Sequence, residues 1–234
     1  MIFSPTSNGR RGSKTFINEI FVLLLVTSTY TLTPLYMSLS LFIQLAYPVL
    51  AVITVWLDTR ENVWARPLSL LGAVLSLGIY YPAKLYARCL LNVISIFLNL
   101  YGWYQWLYGG VHKTPLQVSK TDGPTLVMLV IAGNVMAIGL GRLLTLYSDA
   151  DLAYWDAWHM AFWLVAYWML VQKKLESWLF WLALDIEYFG VCCYKALYPL
   201  IVLRVVYIFL AIHGYRSWRK SYDNLEHYPH PEGP

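Results

Sequence analysis

Seven stretches of about 20 mostly apolar residues follow one another along this chain, each near the length an α-helix needs to cross the roughly 30 Å hydrocarbon core of a bilayer. They predict helices over approximately Leu39–Leu57, Pro67–Pro82, Tyr86–Leu107, Pro124–Tyr147, Asp156–Val171, Trp178–Tyr194 and Tyr198–Tyr215. The connections are short and hold the charges and breakers, as in Asp58-Thr-Arg-Glu-Asn62, Tyr81-Pro-Ala-Lys84 and Gln172 to Glu176. A chain of 234 residues with 59% hydrophobic and 13% charged residues and a mean hydropathy of +0.51 cannot hide that apolar surface in a soluble core, where about 25% charge is usual. The bilayer serves as its solvent, and the fold class is an all-α membrane protein.

The segment Phe16–Met37 contains Phe21-Val-Leu-Leu-Leu-Val26 and then a Thr/Ser-rich run ending at Pro34. It reads as an extra span, an interfacial helix or a cleaved signal; no small-residue cleavage site follows the short apolar run. Loop charges favour the extra span. One side of the seven-helix arrangement holds Arg60, Arg66, Lys113, Lys120, Lys173, Lys174, Arg216, Arg219 and Lys220, and the other holds Lys84, Arg88, Arg142 and Lys195. The richer side is cytoplasmic by the positive-inside rule, so the C-terminus is inside. An eighth, N-terminal helix places Arg10, Arg11 and Lys14 on that same side.

The second and third predicted helices resemble the sixth and seventh. Asn62-Val-Trp64 aligns with Glu176-Ser-Trp178, Lys84-Leu-Tyr86 falls near Lys195-Ala-Leu-Tyr198, and Gly102 and Trp106 align with Gly214 and Trp218. The first match is out of step with the last by two residues. Four helices separate Trp64 from Trp178, so the two units run parallel across the membrane. Two three-helix repeats and one linking helix make a 3+1+3 arrangement, SWEET-like, of the kind that binds substrate near the midplane between repeats. The chain then divides into residues 1–38 (tail and extra helix), 39–220 (core, with repeats over 39–107 and 156–218 and the link at 124–147) and 221–234 (a polar, Pro-rich tail expected to be disordered).

Several motifs, in this order and spacing, carry a family resemblance: Glu61-Asn62-Val-Trp64-Ala-Arg-Pro67, Leu100-Tyr-Gly-Trp-Tyr-Gln-Trp106, Lys173-Lys-Leu-Glu-Ser-Trp178, Lys195-Ala-Leu-Tyr198 and Gly214-Tyr-Arg-Ser-Trp218. Over about Leu41 to Lys220 the chain resembles the PnuC family of vitamin transporters, whose best-known members carry nicotinamide riboside. The resemblance implies facilitated diffusion through an inner membrane, trapping of the vitamin by a cytoplasmic kinase, and a homotrimer. Other members carry thiamine or riboflavin. The span after Trp155-Asp156, where the family has small hydroxylated residues and a Gln, reads His159, Met160, Trp163 and Tyr167 here; a frequent Gln is Asn92 and a frequent Tyr is Arg204. These positions lie on faces suited to the substrate path.

Ionisable groups inside a span are costly and mark function. Asp185 and Glu187 lie mid-way along the sixth predicted helix and Arg204 along the seventh. Their distances from the intervening turn match Glu187 to Arg204, which leaves Asp185 as a spare carboxylate sharing a face with Trp181 and Tyr188. Such a group between rings suits a cationic aromatic such as nicotinamide riboside or thiamine; protonation, or a clamp in which Arg204 satisfies both acids, is the structural alternative. Asn92 and Asn99, seven apart, share a face and offer hydrogen bonds to a ribose or amide, or to a neighbouring helix. His159 either meets substrate or bonds Asp156 or a backbone carbonyl. With Trp64 and Trp163 these residues form the candidate substrate set: Trp64, Asn92, Asn99, His159, Trp163, Trp181, Asp185 and Tyr188.

Other functions fit less well. Cys89, Cys192 and Cys193 form no C-x-x-C and no disulfide framework. No H-E-x-x-H or phosphate loop appears, so neither an enzyme nor a metal or cofactor is expected. A net charge of +4 without a basic stripe excludes a nucleic-acid partner. A receptor subunit needs no midplane carboxylate, and a channel would show a ring of hydroxyls, acids or carbonyls along one helix. The expected partners are a small vitamin and the lipid bilayer.

Overall fold

A computed structural model describes residues 34–81, 86–147 and 153–227. These form helices α1 (Pro34–Thr59), α2 (Ala65–Tyr80), α3 (Tyr86–Tyr108), α4 (Gly123–Tyr147), α5 (Ala153–Val171), α6 (Ser177–Tyr194) and α7 (Tyr198–His227), with a single 3-10 turn at Val111–Lys113. Most of the Phe16–Met37 segment lies outside the described residues. α4 and α7 are long and apolar enough to cross a membrane by that measure alone. α1 and α2 are apolar over shorter stretches, Ala46–Thr59 and Ala65–Gly78, whereas α3, α5 and α6 owe much of their apolar surface to Trp and Tyr, which hydropathy scales count as polar because each carries one polar atom.

The last helix continues twelve residues past the predicted Tyr215, to His227, and so enters the tail expected to be disordered. Tyr222 packs against the aromatic cluster described below and lies under Lys120 Nζ, 4.3 Å from the ring centre. Arg219 faces Asp223 one turn on. These contacts hold a polar sequence helical that composition alone would leave unfolded. At its start, α4 is capped by Asp122, which accepts the Thr125 backbone N–H at 3.0 Å. That hydrogen bond holds the exposed Asp122 carboxyl below the usual carboxylate range.

α1 and α5 end in the same way. In each, the second residue past the helix takes a left-handed conformation, Glu61 with φ 55° and Lys173 with φ 48°. Asn62 N–H donates to Leu57 C=O and Glu61 N–H to Asp58 C=O; Lys174 N–H donates to Met169 C=O and Lys173 N–H to Leu170 C=O. This is the Schellman pattern, which satisfies the last carbonyls of a helix and normally recruits Gly. The following bonds match too: Ala65 to Asn62 and Ser177 to Lys174, Arg66 to Val63 and Trp178 to Leu175, Leu68 to Trp64 and Phe180 to Glu176. The separation throughout is that of Glu61 and Lys173, 112 residues, the same step that relates Gly102 to Gly214. The sequence match of Trp64 with Trp178 is therefore two residues out: by backbone, Arg66 stands where Trp178 stands. Side-chain identity misleads because Trp64 is 67% exposed and Trp178 is buried.

The helix contacts follow the same correspondence. α1 packs on α2 and α2 on α3, as α5 packs on α6 and α6 on α7; α1 meets α7 and α3 meets α5. α4 packs mainly along α5, where Gly133 lies under the Phe162 ring. Its outward face shows Val127, Met128, Ile131, Val135, Ile138 and Leu146, a row suited to lipid.

At one end the two halves close over an aromatic core. Trp106, Trp178 and Trp218 are buried together, with Trp218 set edge-on to both neighbours at 6.0 and 5.4 Å. Trp106 donates its indole N–H to Val171 C=O, and Trp218 donates to Asp58 C=O. Each tryptophan thus satisfies a carbonyl at the end of the opposite half's first helix. Beneath them Arg66 and Asp58 form a buried ion pair, with the guanidinium 4.7 Å from the Trp106 ring. The segment before α4 closes this end: Ser119 N–H bonds Lys173 C=O, Leu175 N–H bonds Ser119 C=O, and Thr121 N–H bonds the Glu176 carboxylate.

Candidate functional site

The helices enclose a cavity of about 460 Å³, within the range of roughly 300–1,000 Å³ common for small-molecule sites. α1, α2, α3, α5, α6 and α7 line it; among the described residues α4 contributes nothing. Its floor is the Trp178, Leu170, Asp58 region below the aromatic core. Its sides mix aliphatic residues with a few polar groups, the usual composition of a ligand site.

Five of the eight candidate residues meet at this cavity: Asn92, His159, Trp163, Trp181 and Asp185. Trp163 stacks on Tyr167 at 5.0 Å and stands edge-on to Trp181 at 6.3 Å. Tyr167, which also lines the cavity, meets Trp181 edge-on at 6.5 Å. The three rings make an aromatic wall. Asn92 Oδ1 accepts the Ser76 hydroxyl at 2.9 Å. Asn99 and Tyr188 are not part of the cavity lining. Asn99 Oδ1 accepts the Tyr167 hydroxyl at 2.7 Å, while its amide donates to Ser95 C=O. The Tyr188 ring sits 4.1 Å from the Arg204 guanidinium and 5.1 Å from the His159 ring. Trp64 is outside the cavity, exposed at the start of α2.

The charged groups pair differently from expectation. Arg204 Nη1 bonds Asp185 Oδ1 at 2.7 Å, and Glu187 Oε2 meets His159 Nδ1 at 2.7 Å. Asp185 is therefore not a spare carboxylate, and Glu187 is not the partner of Arg204. Depth along the helix is matched within two residues, or about 3 Å, which an arginine spans; the rotation of α6 decides the partner and turns Asp185 toward α7 and Glu187 toward α5. His159 Nδ1 thus meets the acid of the neighbouring helix α6.

Several donors at the cavity lack protein acceptors: the indole N–H groups of Trp178 and Trp181 and the Nε of Arg204. Buried donors of this kind are costly without a partner, and an acceptor-bearing ligand supplies one. The polar lining that sequence reasoning missed sits on α1 and α2. Thr54 and Asp58 are four apart and Ser69 and Ser76 seven apart, all at the cavity. Helical spacing of these small polar residues within apolar runs is a signal the sequence carries.

The model of the nicotinamide mononucleotide transporter family matches residues 41–220. The chain belongs to this family, the PnuC family of vitamin transporters. It is 21% identical over 205 residues to the nicotinamide riboside transporter PnuC of Escherichia coli (strain K12), covering 77% of this chain and 86% of that protein. The riboflavin/roseoflavin transporter RibM of Streptomyces davaonensis is 26% identical over 145 residues, 59% of this chain and 66% of RibM. In fold, the crystal structure of the vitamin B3 transporter PnuC superposes with a TM-score of 0.62 at 17% identity, over 91% of this chain and 94% of that one. Among the described residues this member of a membrane transporter family is all-helical, as the sequence predicts, and its relatives are transporters of vitamins rather than enzymes.

Proposed function

We propose that this chain carries nicotinamide riboside by facilitated diffusion into the cytoplasm, where phosphorylation traps it. The observation that carries this is the cavity reached by six helices, with the Trp163, Tyr167 and Trp181 rings on one side and the Asp185–Arg204 and Glu187–His159 pairs at its edge. Ring faces attract a cationic heterocycle by roughly 0.5–2 kcal/mol, and Asn92 and Ser76 are polar side chains at the cavity within reach of a ribose. The equivalent ends of α1 and α5, the shared step of 112 residues and the position of α4 outside the cavity support two parallel repeats joined by a linking helix. On the charge balance of the loops, the end closed by the tryptophan core is the cytoplasmic one, as is the C-terminus.

A second substrate has one observation in its favour. The unpartnered indole and guanidinium donors suit an uncharged ring rich in acceptors, such as riboflavin. Thiamine, a cationic ring without a ribose, stands between the two. Titration of the purified protein with each compound, followed by intrinsic Trp fluorescence and by uptake into proteoliposomes, separates them. Saturable binding and uptake of nicotinamide riboside are expected; saturation by riboflavin alone would replace the substrate and keep the site, and failure of all three would refute it.

A further inference from the structure

We propose that the two halves of the chain read different parts of the substrate, the second half its flat ring and the first half its hydroxylated tail, and that the Ser69 hydroxyl is the contact that selects a ligand carrying such a tail. This rests on the paired halves and the ring-bearing vitamin proposed above. The halves keep one step throughout. α2 and α6 begin at Ala65 and Ser177, α3 and α7 begin at Tyr86 and Tyr198, and α1 and α5 end at Thr59 and Val171, all at the 112-residue separation of Glu61 and Lys173. The cavity is lined from both halves at equivalent positions, so it lies between them rather than within either.

Those equivalent positions differ in size and chemistry. Ala51 stands where Trp163 stands, Val55 where Tyr167 stands and Ser69 where Trp181 stands. Each ring of the aromatic wall thus has a small side chain as its counterpart. The wall belongs to the second half, and the space of about 460 Å³ is left open by the small residues of the first. A flat ligand that fills it gains by packing on the rings, and its other side then meets α1 and α2.

Of the small hydroxyls that α1 and α2 bring to the cavity, two are committed. Thr54 donates to Leu50 C=O at 2.8 Å, and Ser76 donates to Asn92 Oδ1 at 2.9 Å. Ser69, one turn into α2, lines the cavity and bonds none of the described residues. A serine hydroxyl donates and accepts at once, as a sugar hydroxyl does, so the two match in either direction. A second group points to the same class of ligand. The Trp178 side chain at the cavity floor is 2% exposed, and its indole N–H has no protein acceptor. A buried donor left unpaired is costly, and a polyol supplies the missing acceptor. The ligand class is therefore a flat heterocycle bearing a ribosyl or ribityl group. Thiamine, whose side chain ends in one hydroxyl, lacks that tail.

The test compares ligands with and without the tail on the full chain in detergent. Nicotinamide riboside is set against N-methylnicotinamide, which keeps the cationic ring and lacks the sugar, and riboflavin against lumiflavin. Trp fluorescence gives Kd for the tailed ligand, and competition gives it for the ring alone. The tailed member is expected to bind more tightly by about tenfold or more. Ser69→Ala is expected to weaken the tailed ligand by about three- to tenfold, the worth of one hydrogen bond, and so to narrow its advantage over the ring alone. Trp163→Ala, read in the folded fraction, is expected to weaken both members alike and leave their ratio as it was. Unfolding midpoints of the same samples separate lost binding from lost fold. An unchanged Kd for the tailed ligand in Ser69→Ala, an equal loss for both members, or a wild type that binds both members equally overturns the assignment and leaves the substrate in place. A wild type that binds neither nicotinamide riboside nor riboflavin removes the substrate reading, and this inference with it.

Discussion

Glu61 and Lys173 stand at the same position of two equivalent helix ends and are joined to each other, Nζ to Oε2, at 3.1 Å. Both adopt left-handed backbone conformations that cost a non-Gly residue roughly 1–2 kcal/mol. The pair therefore ties the two halves where both segments are strained. Lys173 also approaches the Trp106 ring at 4.8 Å. The Glu61 side chain is 23% exposed and can rehydrate once alone. Lys173→Met is thus expected to lower stability by only about 1 kcal/mol, read as a small fall in the thermal unfolding midpoint in detergent. A loss above 3 kcal/mol would show that Glu61 is held out of water.

Asp58 and Arg66, a few residues away, should behave in the opposite manner. Both are buried, and the guanidinium lies over Trp106. Breaking such a pair on one side leaves a stranded charge, at about 3–5 kcal/mol. Arg66→Met is expected to be severely destabilised, and the double variant Asp58→Asn/Arg66→Met to recover much of the loss. A double variant no more stable than Arg66→Met would assign the cost to packing on Trp106 instead.

The glycines beneath these side chains rank in a predictable order. A Cβ at Gly214 would fall 2.6 Å from the buried Trp178 ring, and one at Gly102 would fall 3.1 Å from a Val171 methyl. A ring enclosed on both sides cannot move, whereas a methyl can shift by a few tenths of an ångström. Gly214→Ala should therefore cost several kcal/mol, in the upper part of the overpacking range of about 1–3 kcal/mol or beyond it, and Gly102→Ala clearly less. Folded yield and unfolding midpoint measure both; equal effects would contradict the assigned packing.

Much of the fold is legible in the sequence because helix length and apolar runs are local properties. The ends of α3, α4 and α6 fall within about two residues of expectation. What pairs with what is not local. Trp64 and Trp178 are identical in type yet differ in burial, while Arg66 and Trp178 differ in type yet sit under Gly102 and Gly214 in the same way. Depth alone likewise assigned Arg204 to Glu187; the rotation of α6 gave it Asp185. The aromatic wall was partly visible, since Trp163, Tyr167 and Trp181 stand at unusual positions in the family pattern or beside an intramembrane acid. The α1 and α2 lining does not stand out in the sequence, because small hydroxyls in an apolar run also bond back to their own backbone, as Thr54 and Ser76 do.

The Asp185–Arg204 pair bears most directly on transport. Arg204 is enclosed by the Tyr188 and Tyr207 rings, at 4.1 and 5.5 Å, and its Nε has no protein acceptor. Arg204→Gln leaves Asp185 without its counter-charge at the cavity wall. If the pair only braces the fold, Arg204→Gln and Asp185→Asn should both lower stability while substrate affinity in the folded fraction stays the same. If it belongs to the binding site, each should weaken nicotinamide riboside binding by about tenfold or more, equivalent to about 1.4 kcal/mol. The second outcome is expected, because both side chains line the cavity. Fluorescence titration of the folded fraction, set beside unfolding midpoints for the same samples, separates the two, and unchanged Kd values in both variants would return the pair to a bracing role.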